Sequence, residues 1–150
     1  MFMDIKIIKK LREETGAGVM DAKRALEETR GDFKKAKDYL REKGIERAAK
    51  KSDREIKAGR IFAYIHANGK VGALVKLGCE TDFVAKTDEF EKLGTEIAMQ
   101  TAAMDPKDVK DLLEQDYIRD PSKKIKDLLT ETIAKIGENI TLSQVSRVEI

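Results

Sequence analysis

The chain has 150 residues, 41% of them hydrophobic and 39% charged, with no tryptophan. That is enough for one compact unit, or a small module joined to a second one, with a helix-rich and charge-laced exterior. Thirty basic residues against 28 acidic ones leave a formal charge of only +2, which gives no global pull toward nucleic acid. No stretch is long and apolar enough to span a bilayer. The start, Met1-Phe2-Met3-Asp4, lacks the apolar region of a signal peptide. Cys79 is the one cysteine and cannot close an internal disulfide. These features fit a cytoplasmic protein.

The amino-terminal part reads as three short helices. Asp4 is placed to cap a first helix with Ile5, Ile8 and Leu11 on one stripe, ended near Gly16. After the turn Thr15-Gly16-Ala17-Gly18, a second helix carries Val19, Ala22, Ala25 and Leu26, and Gly31 stops it. Asp32 caps a third, with Phe33, Ala36 and Leu40 on one face and Gly44 at its end. Residues 1–44 thus form a small three-helix module. Residues 45–58 are highly charged and read as a solvated, helical linker. Acids interspersed among its bases, and the lack of aromatics, argue against a nucleic-acid patch.

From Arg60 to Cys79 the period changes to alternation. Asn68-Gly69 between two β-rich runs is a hairpin signal that pairs His66 with Val71, Tyr64 with Ala73 and Phe62 with Val75. Ile61, Ala63, Ile65 and Leu74 fall on the other face. Both faces are largely apolar, so a cover is expected on each, at least in part. Three helical segments follow. The first bears Phe90, Leu93, Ile97, Ala98 and Thr101; the second, Val109, Leu112 and Leu113. The third is signalled by Asp120-Pro121 as cap and first turn, bears Ile125, Leu128, Leu129, Ile133 and Ile136, and closes at Gly137. The tail from Asn139 to Ile150 is a candidate third strand. The fold class is therefore α+β: the helical module, the charged linker, and an α+β domain over residues 59–150 with a small antiparallel three-stranded sheet packed with helices.

The ingredients of catalysis are missing. His66 is the only histidine and falls mid-hairpin, where a partly exposed strand residue is the plain reading. Cys79 has no second histidine or cysteine to build a metal set, and the proposed register puts His66 at the other end of the ladder from it. Asn68-Gly69-Lys70 lacks the other glycines and the Ser/Thr of a phosphate-binding loop. Acid pairs such as Asp88 and Glu89 sit on ordinary charged helix faces. The chain reads as a non-enzyme with no cofactor and no metal.

Three places put apolar side chains where a monomer's core has no obvious need for them. In Gly16-Ala17-Gly18-Val19-Met20 two glycines let another backbone approach a helix's first turn. Val19 and Met20 could pack into the small bundle instead, with Val19 the better core member and Met20 the better contact. In Thr81-Asp82-Phe83-Val84, Thr81 or Asp82 caps a helix directly after a strand. Phe83 there is either a staple onto its own domain or a wedge for a partner. The third place is the terminal run Val148-Glu149-Ile150, which suits the sheet's own third strand or an edge for self-association.

The same places match a known family. The run from Thr15 through Gly16-Ala17-Gly18-Val19-Met20-Asp21-Ala22-Lys23-Arg24-Ala25 to Leu26 closely resembles the amino-terminal signature of the elongation factor Ts family. Cys79-Glu80-Thr81-Asp82-Phe83-Val84-Ala85-Lys86 resembles its second signature. Lys135-Ile136-Gly137-Glu138-Asn139-Ile140 resembles the segment leading into a core strand. Ala22 and Val19 depart from the commoner cysteine and methionine but keep apolar, helix-compatible positions. The run from Arg24 through Gly31-Asp32 to Leu40 also resembles a ubiquitin-associated three-helix module. A ubiquitin-binding role is the rival reading of that module alone, and the second signature argues against it.

The resemblance implies a guanine-nucleotide exchange factor for elongation factor Tu. It implies that Phe83 inserts beside the partner's Mg²⁺ site with Thr81, Asp82 and Val84 around it. It also implies that Arg12, Val19, Met20 and Lys23 grip the partner's nucleotide-binding domain. The chain resembles the family's short form, without a second core subdomain and coiled-coil hairpin, in which two copies join as a homodimer. No membrane or direct nucleic-acid partner is implied. The alternative from another class is an RNA- or ribosome-associated adaptor using the basic linker around Arg47–Arg60, which steep weakening by salt would reveal.

Overall fold

The computed structural model describes residues 4–150, so the reading of Met1-Phe2-Met3 lies outside the described residues. Three helices open the chain: α1 (Ile5–Thr15), α2 (Val19–Glu28) and α3 (Phe33–Ala49). The side chains of Asp4 and Asp32 cap α1 and α3 by accepting from the N–H groups of Lys6 and Lys35. Gly16 ends α1 in a left-handed conformation, φ 73°, and its N–H returns to the Arg12 carbonyl at 2.7 Å. Leu11, Ala22, Ala25, Leu26 and Ala36 are fully buried and form the module's own small core. Partly buried Ile8, Phe33, Tyr39 and Leu40 pack around it.

The third helix does not stop at Gly44, as the sequence suggests. It runs on to Ala49. Ile45-Glu46-Arg47-Ala48-Ala49 are adequate helix formers, and Gly44 holds no left-handed exit conformation. Its lack of a side chain serves packing instead. A β-carbon on Gly44 would lie 3.6 Å from that of Ala134, in the later helix α7 (Ile125–Ile136). Ala48 packs against the main core, and Arg41 lies 3.9 Å from Asp127. The first part of the expected linker is thus helical and mostly exposed, as expected, but continuous with α3 and held to the main core through Ala48.

Strands β1 (Ala58–Ile65), β2 (Val71–Cys79) and β5 (Ile140–Glu149) make an antiparallel sheet in the order β1-β2-β5. The hairpin register is the expected one, with Phe62 opposite Val75 and Tyr64 opposite Ala73. The His66 N–H donates to the Val71 carbonyl at 2.9 Å. The tail is the third strand, pairing along β2 from Cys79–Ile140 to Val71–Glu149.

One face of the sheet is covered. Helix α5 (Asp88–Met104) lays Phe90, Leu93, Ile97 and Ala98 against Phe62, Val75 and Leu77, and Thr101 is buried on the same helix. Gly94 lies directly under Phe62, and a β-carbon there would overlap its ring. Ile125, Leu129 and Ile133 of α7 complete this core. The other face carries Ile61, Ala63, Ile65, Leu74 and Val148, all exposed. Among the described residues nothing supplies the cover expected on that side.

Short elements fill the rest: α4 (Asp82–Ala85), α6 (Val109–Glu114), and strands β3 (Asp116–Tyr117) and β4 (Asp120–Lys124), which pair as a small hairpin. The helix expected to start at Asp120-Pro121 begins only at Ile125. The Asp120 carboxylate accepts from both the N–H and the hydroxyl of Ser122, at 3.2 and 2.6 Å. That closes a local turn that competes with a helix. The Asp127 carboxylate then takes the Lys124 N–H at 2.8 Å and starts α7 five residues later. Among the described residues no helix is long and apolar enough to cross a membrane.

Candidate functional site

The junction between β2 and α4 is built from the strand outward. Cys79 ends β2 fully buried, and its thiol donates to the Thr81 carbonyl at 3.2 Å. Burial raises the Cys79 pKa, and nearby Glu138 adds to the rise, so the group stays a thiol and a packing residue. Thr81 caps α4, its hydroxyl oxygen accepting from the Val84 N–H at 3.3 Å. The Arg60 guanidinium donates to the Ala85 carbonyl at 3.3 Å at the other end. One turn of helix has too few internal bonds to stand alone, and here it is fixed at both ends.

Carboxylates complete the clamp. Glu138, in the turn after α7, accepts from the Glu80 N–H at 3.1 Å, the Thr81 N–H at 3.0 Å and the Thr81 hydroxyl at 2.7 Å. Glu80 answers by accepting from the Asn139 N–H at 2.9 Å. The Asn139 amide donates to the carbonyls of Ser52 and Arg54, and Arg54 lies 3.7 Å from the Glu80 carboxylate. Three chain segments meet at this point.

On that support Phe83 projects outward, 81% exposed. Of the two readings for this ring, the staple is not what the fold adopts. Thr81 and Asp82 are exposed beside it. Val84 differs from the expectation. It is buried in the main core with Ala85, because one helical turn must aim one side inward. It anchors the junction and has no surface to offer a partner.

The second expected surface lies at the α1–α2 turn. The Thr15 hydroxyl donates to the Leu11 carbonyl and accepts the Ala17 N–H, while the Arg12 guanidinium reaches the Ala17 carbonyl at 3.4 Å. Met20 is 66% exposed and Val19 is 48% exposed. Val19, the better core candidate by pattern, is therefore not in the core. The bundle is filled by Ala22, Ala25 and Leu26, and Val19 is left in the helix's first turn. Lys23 is exposed as well.

The carboxy-terminal end of α7 connects the two surfaces. A β-carbon on Gly16 would lie 3.9 Å from the Lys135 side chain. The Lys135 ammonium is 3.9 Å from Glu89 at the start of α5, and Glu138 follows three residues on. Three basic residues of the linker have acidic neighbours: Arg47 is bidentate to Asp21, Arg54 lies 3.7 Å from Glu80 and Lys57 3.7 Å from Glu55. His66 is exposed near Tyr64, at the far end of the sheet from Cys79. Among the described residues no cluster of three or more His, Cys, Asp or Glu could hold a metal ion. The sequence does not show that Glu80, Glu138, Asn139 and Arg60 hold this junction, because their partners lie between 25 and 87 positions away.

The family model described as Elongation factor TS matches residues 80–150, which hold both the Phe83 junction and Glu138. Elongation factor Ts of Thermotoga neapolitana is 43% identical over 193 aligned positions, covering 100% of this chain and 98% of that protein. The chain belongs to the elongation factor Ts family. Elongation factor Ts of a Thermoanaerobacter species is 45% identical, over 95% of this chain and 92% of that protein. That of Leptospira biflexa is 44% identical, over 95% of each. The family is one of translation elongation factors. The 193-position alignment takes in nearly the whole Thermotoga protein and all 150 residues here. That relative therefore carries residues inside the aligned span for which this chain has no counterpart.

Proposed function

We propose that this chain is a cytoplasmic guanine-nucleotide exchange factor for elongation factor Tu, acting by binding and not by covalent chemistry. The observation that carries the reading is Phe83, a large apolar ring held 81% exposed on a helical turn clamped at both ends. An exposed ring on a fixed backbone costs little entropy to bury against a partner.

An exchange factor must prefer the nucleotide-free partner to the GDP-bound one. By linkage, GDP weakens the factor by the same free energy with which the factor weakens GDP. A thousandfold effect needs about 4 kcal/mol, and burying one phenylalanine supplies roughly 2–3 kcal/mol. A second contact is required. In this reading Phe83 enters beside the partner's Mg²⁺ site, with Asp82 and Thr81 flanking it, and displaces the ion. Met20, Val19, Arg12 and Lys23 hold the partner's nucleotide-binding domain. Lys135 is adjacent to the α1–α2 turn at Gly16 and three residues before Glu138 of the Phe83 clamp. The Mg²⁺ belongs to the partner.

The working form in this proposal is a homodimer. The uncovered sheet face aligns Ile65 and Val148 on either side of Gly72, and Ala63, Leu74 and Ser146 in the next row. A contiguous apolar face of this kind marks an interface, and a two-fold dimer covers it twice with one set of contacts.

The test is calorimetric titration of the chain into elongation factor Tu with and without GDP. Binding to the nucleotide-free partner should be tighter by orders of magnitude. Equal affinity for the two forms would refute exchange.

A further inference from the structure

We propose that Glu138 is the positioning residue of the Phe83 junction, fixing the direction in which the ring leaves the fold. The role rests on the exchange reading above, but its geometry does not. A single carboxylate accepts from the Glu80 N–H, the Thr81 N–H and the Thr81 hydroxyl, at 3.1, 3.0 and 2.7 Å. All three donors lie within three residues of Phe83. Hydrogen bonds to an ionised acceptor are the stronger kind.

Among the described residues Glu138 is the only side chain that accepts from the backbone N–H groups of Glu80 and Thr81. The β2–β5 ladder ends at Cys79–Ile140, so beyond it the chain carrying Phe83 has no strand partner. Glu138 and the reciprocal bond from Asn139 to Glu80 extend the pairing past the ladder with side chains. Glu138 is also fixed in place, because it follows Gly137, which closes α7, and precedes Asn139, which is buried. The Thr81 hydroxyl is shared: it donates to Glu138 and accepts from Val84. The bond to Glu138 therefore orients the cap of α4 as well as the loop before it. Without the carboxylate, the backbone at residues 80–82 regains freedom that must be lost again on binding. Ordering one such residue corresponds to about a tenfold loss in affinity.

Two measurements test this. The chain has no tryptophan, so Phe83→Trp supplies a single indole at the junction that can be excited apart from the tyrosines. In that background Glu138→Ala should lower the slow, residual anisotropy of the indole, and Glu138→Gln should restore most of it. The glutamine oxygen can still accept both backbone N–H groups. Unchanged anisotropy in Glu138→Ala, with melting confirming a folded protein, overturns the proposal whether or not the chain acts on elongation factor Tu.

The second measurement is GDP release from elongation factor Tu in the parent chain, Glu138→Ala, Phe83→Ala and the double variant. Glu138→Ala alone should slow release about tenfold, and in the Phe83→Ala background less than about twofold, since groups acting through one another are not additive. An equal factor in both backgrounds overturns the proposal. A parent chain that releases no GDP, while the anisotropy falls as expected, would refute the exchange reading and leave the positioning geometry standing.

Discussion

Replacing Phe83 by alanine separates a wedge from a core staple. A phenylalanine buries about 150–250 Å² when fully enclosed. With 81% of the residue exposed, about a fifth of that contact exists in the free chain. At roughly 25 cal/mol per Å² the loss of folding stability is about 1 kcal/mol or less. Scaled from the roughly 2–3 kcal/mol of a fully buried phenylalanine, the exposed four fifths that a partner could cover are worth about 2 kcal/mol, or roughly a thirtyfold change in exchange efficiency. The variant should therefore unfold at nearly the parent denaturant concentration and release GDP about thirtyfold more slowly at limiting factor. Some acceleration should survive, because the α1–α2 turn still binds. Stopped-flow release of a fluorescent GDP analogue, with urea unfolding beside it, gives both numbers. A variant destabilised by several kcal/mol with normal exchange per folded molecule would refute the reasoning.

Two glycines inside helices should answer the same substitution with opposite signs. Gly44→Ala places a methyl group in ordinary contact with Ala134 and gains helix propensity, so urea unfolding should show a rise of about 0.5–1 kcal/mol. Gly94→Ala drives a methyl group into the Phe62 ring, and overpacking should cost about 1–3 kcal/mol in the same assay despite the better propensity. Leu74→Glu, on the uncovered sheet face, should leave melting nearly unchanged. It should shift sedimentation equilibrium toward the 16.9 kDa monomer; a parent chain that is monomeric throughout with full exchange activity would rule out the dimer.

Much of the fold could be read locally. The hairpin register followed from Asn68-Gly69 and alternation, and the apolar stripe of α5 from Phe90 to Thr101. The errors arose where a local signal competed with a distant one. Gly44 looks like a helix stop, but Ala134, ninety positions away, uses it as a packing surface. Asp120-Pro121 looks like a helix start, but Ser122 closes a turn on Asp120 first. At the site, the exposure of Phe83 was one of two readings the pattern allowed. The motif places Val84 beside Phe83 at the surface, because a motif does not say which side of a helical turn faces inward. The clamp from Glu138 could not be read at all, since it joins residues 57 and 58 positions apart.

The central claim, that this chain opens elongation factor Tu to exchange, is tested most directly by GDP release with the factor substoichiometric. Elongation factor Tu loaded with a fluorescent GDP analogue is mixed with excess unlabelled GDP and a small fraction of the chain. The account predicts release of the whole bound pool, at a rate that rises with factor concentration, because each copy is expelled by incoming nucleotide and acts again. Release at the intrinsic rate, or a burst that stops at one nucleotide per copy of the chain, would contradict it.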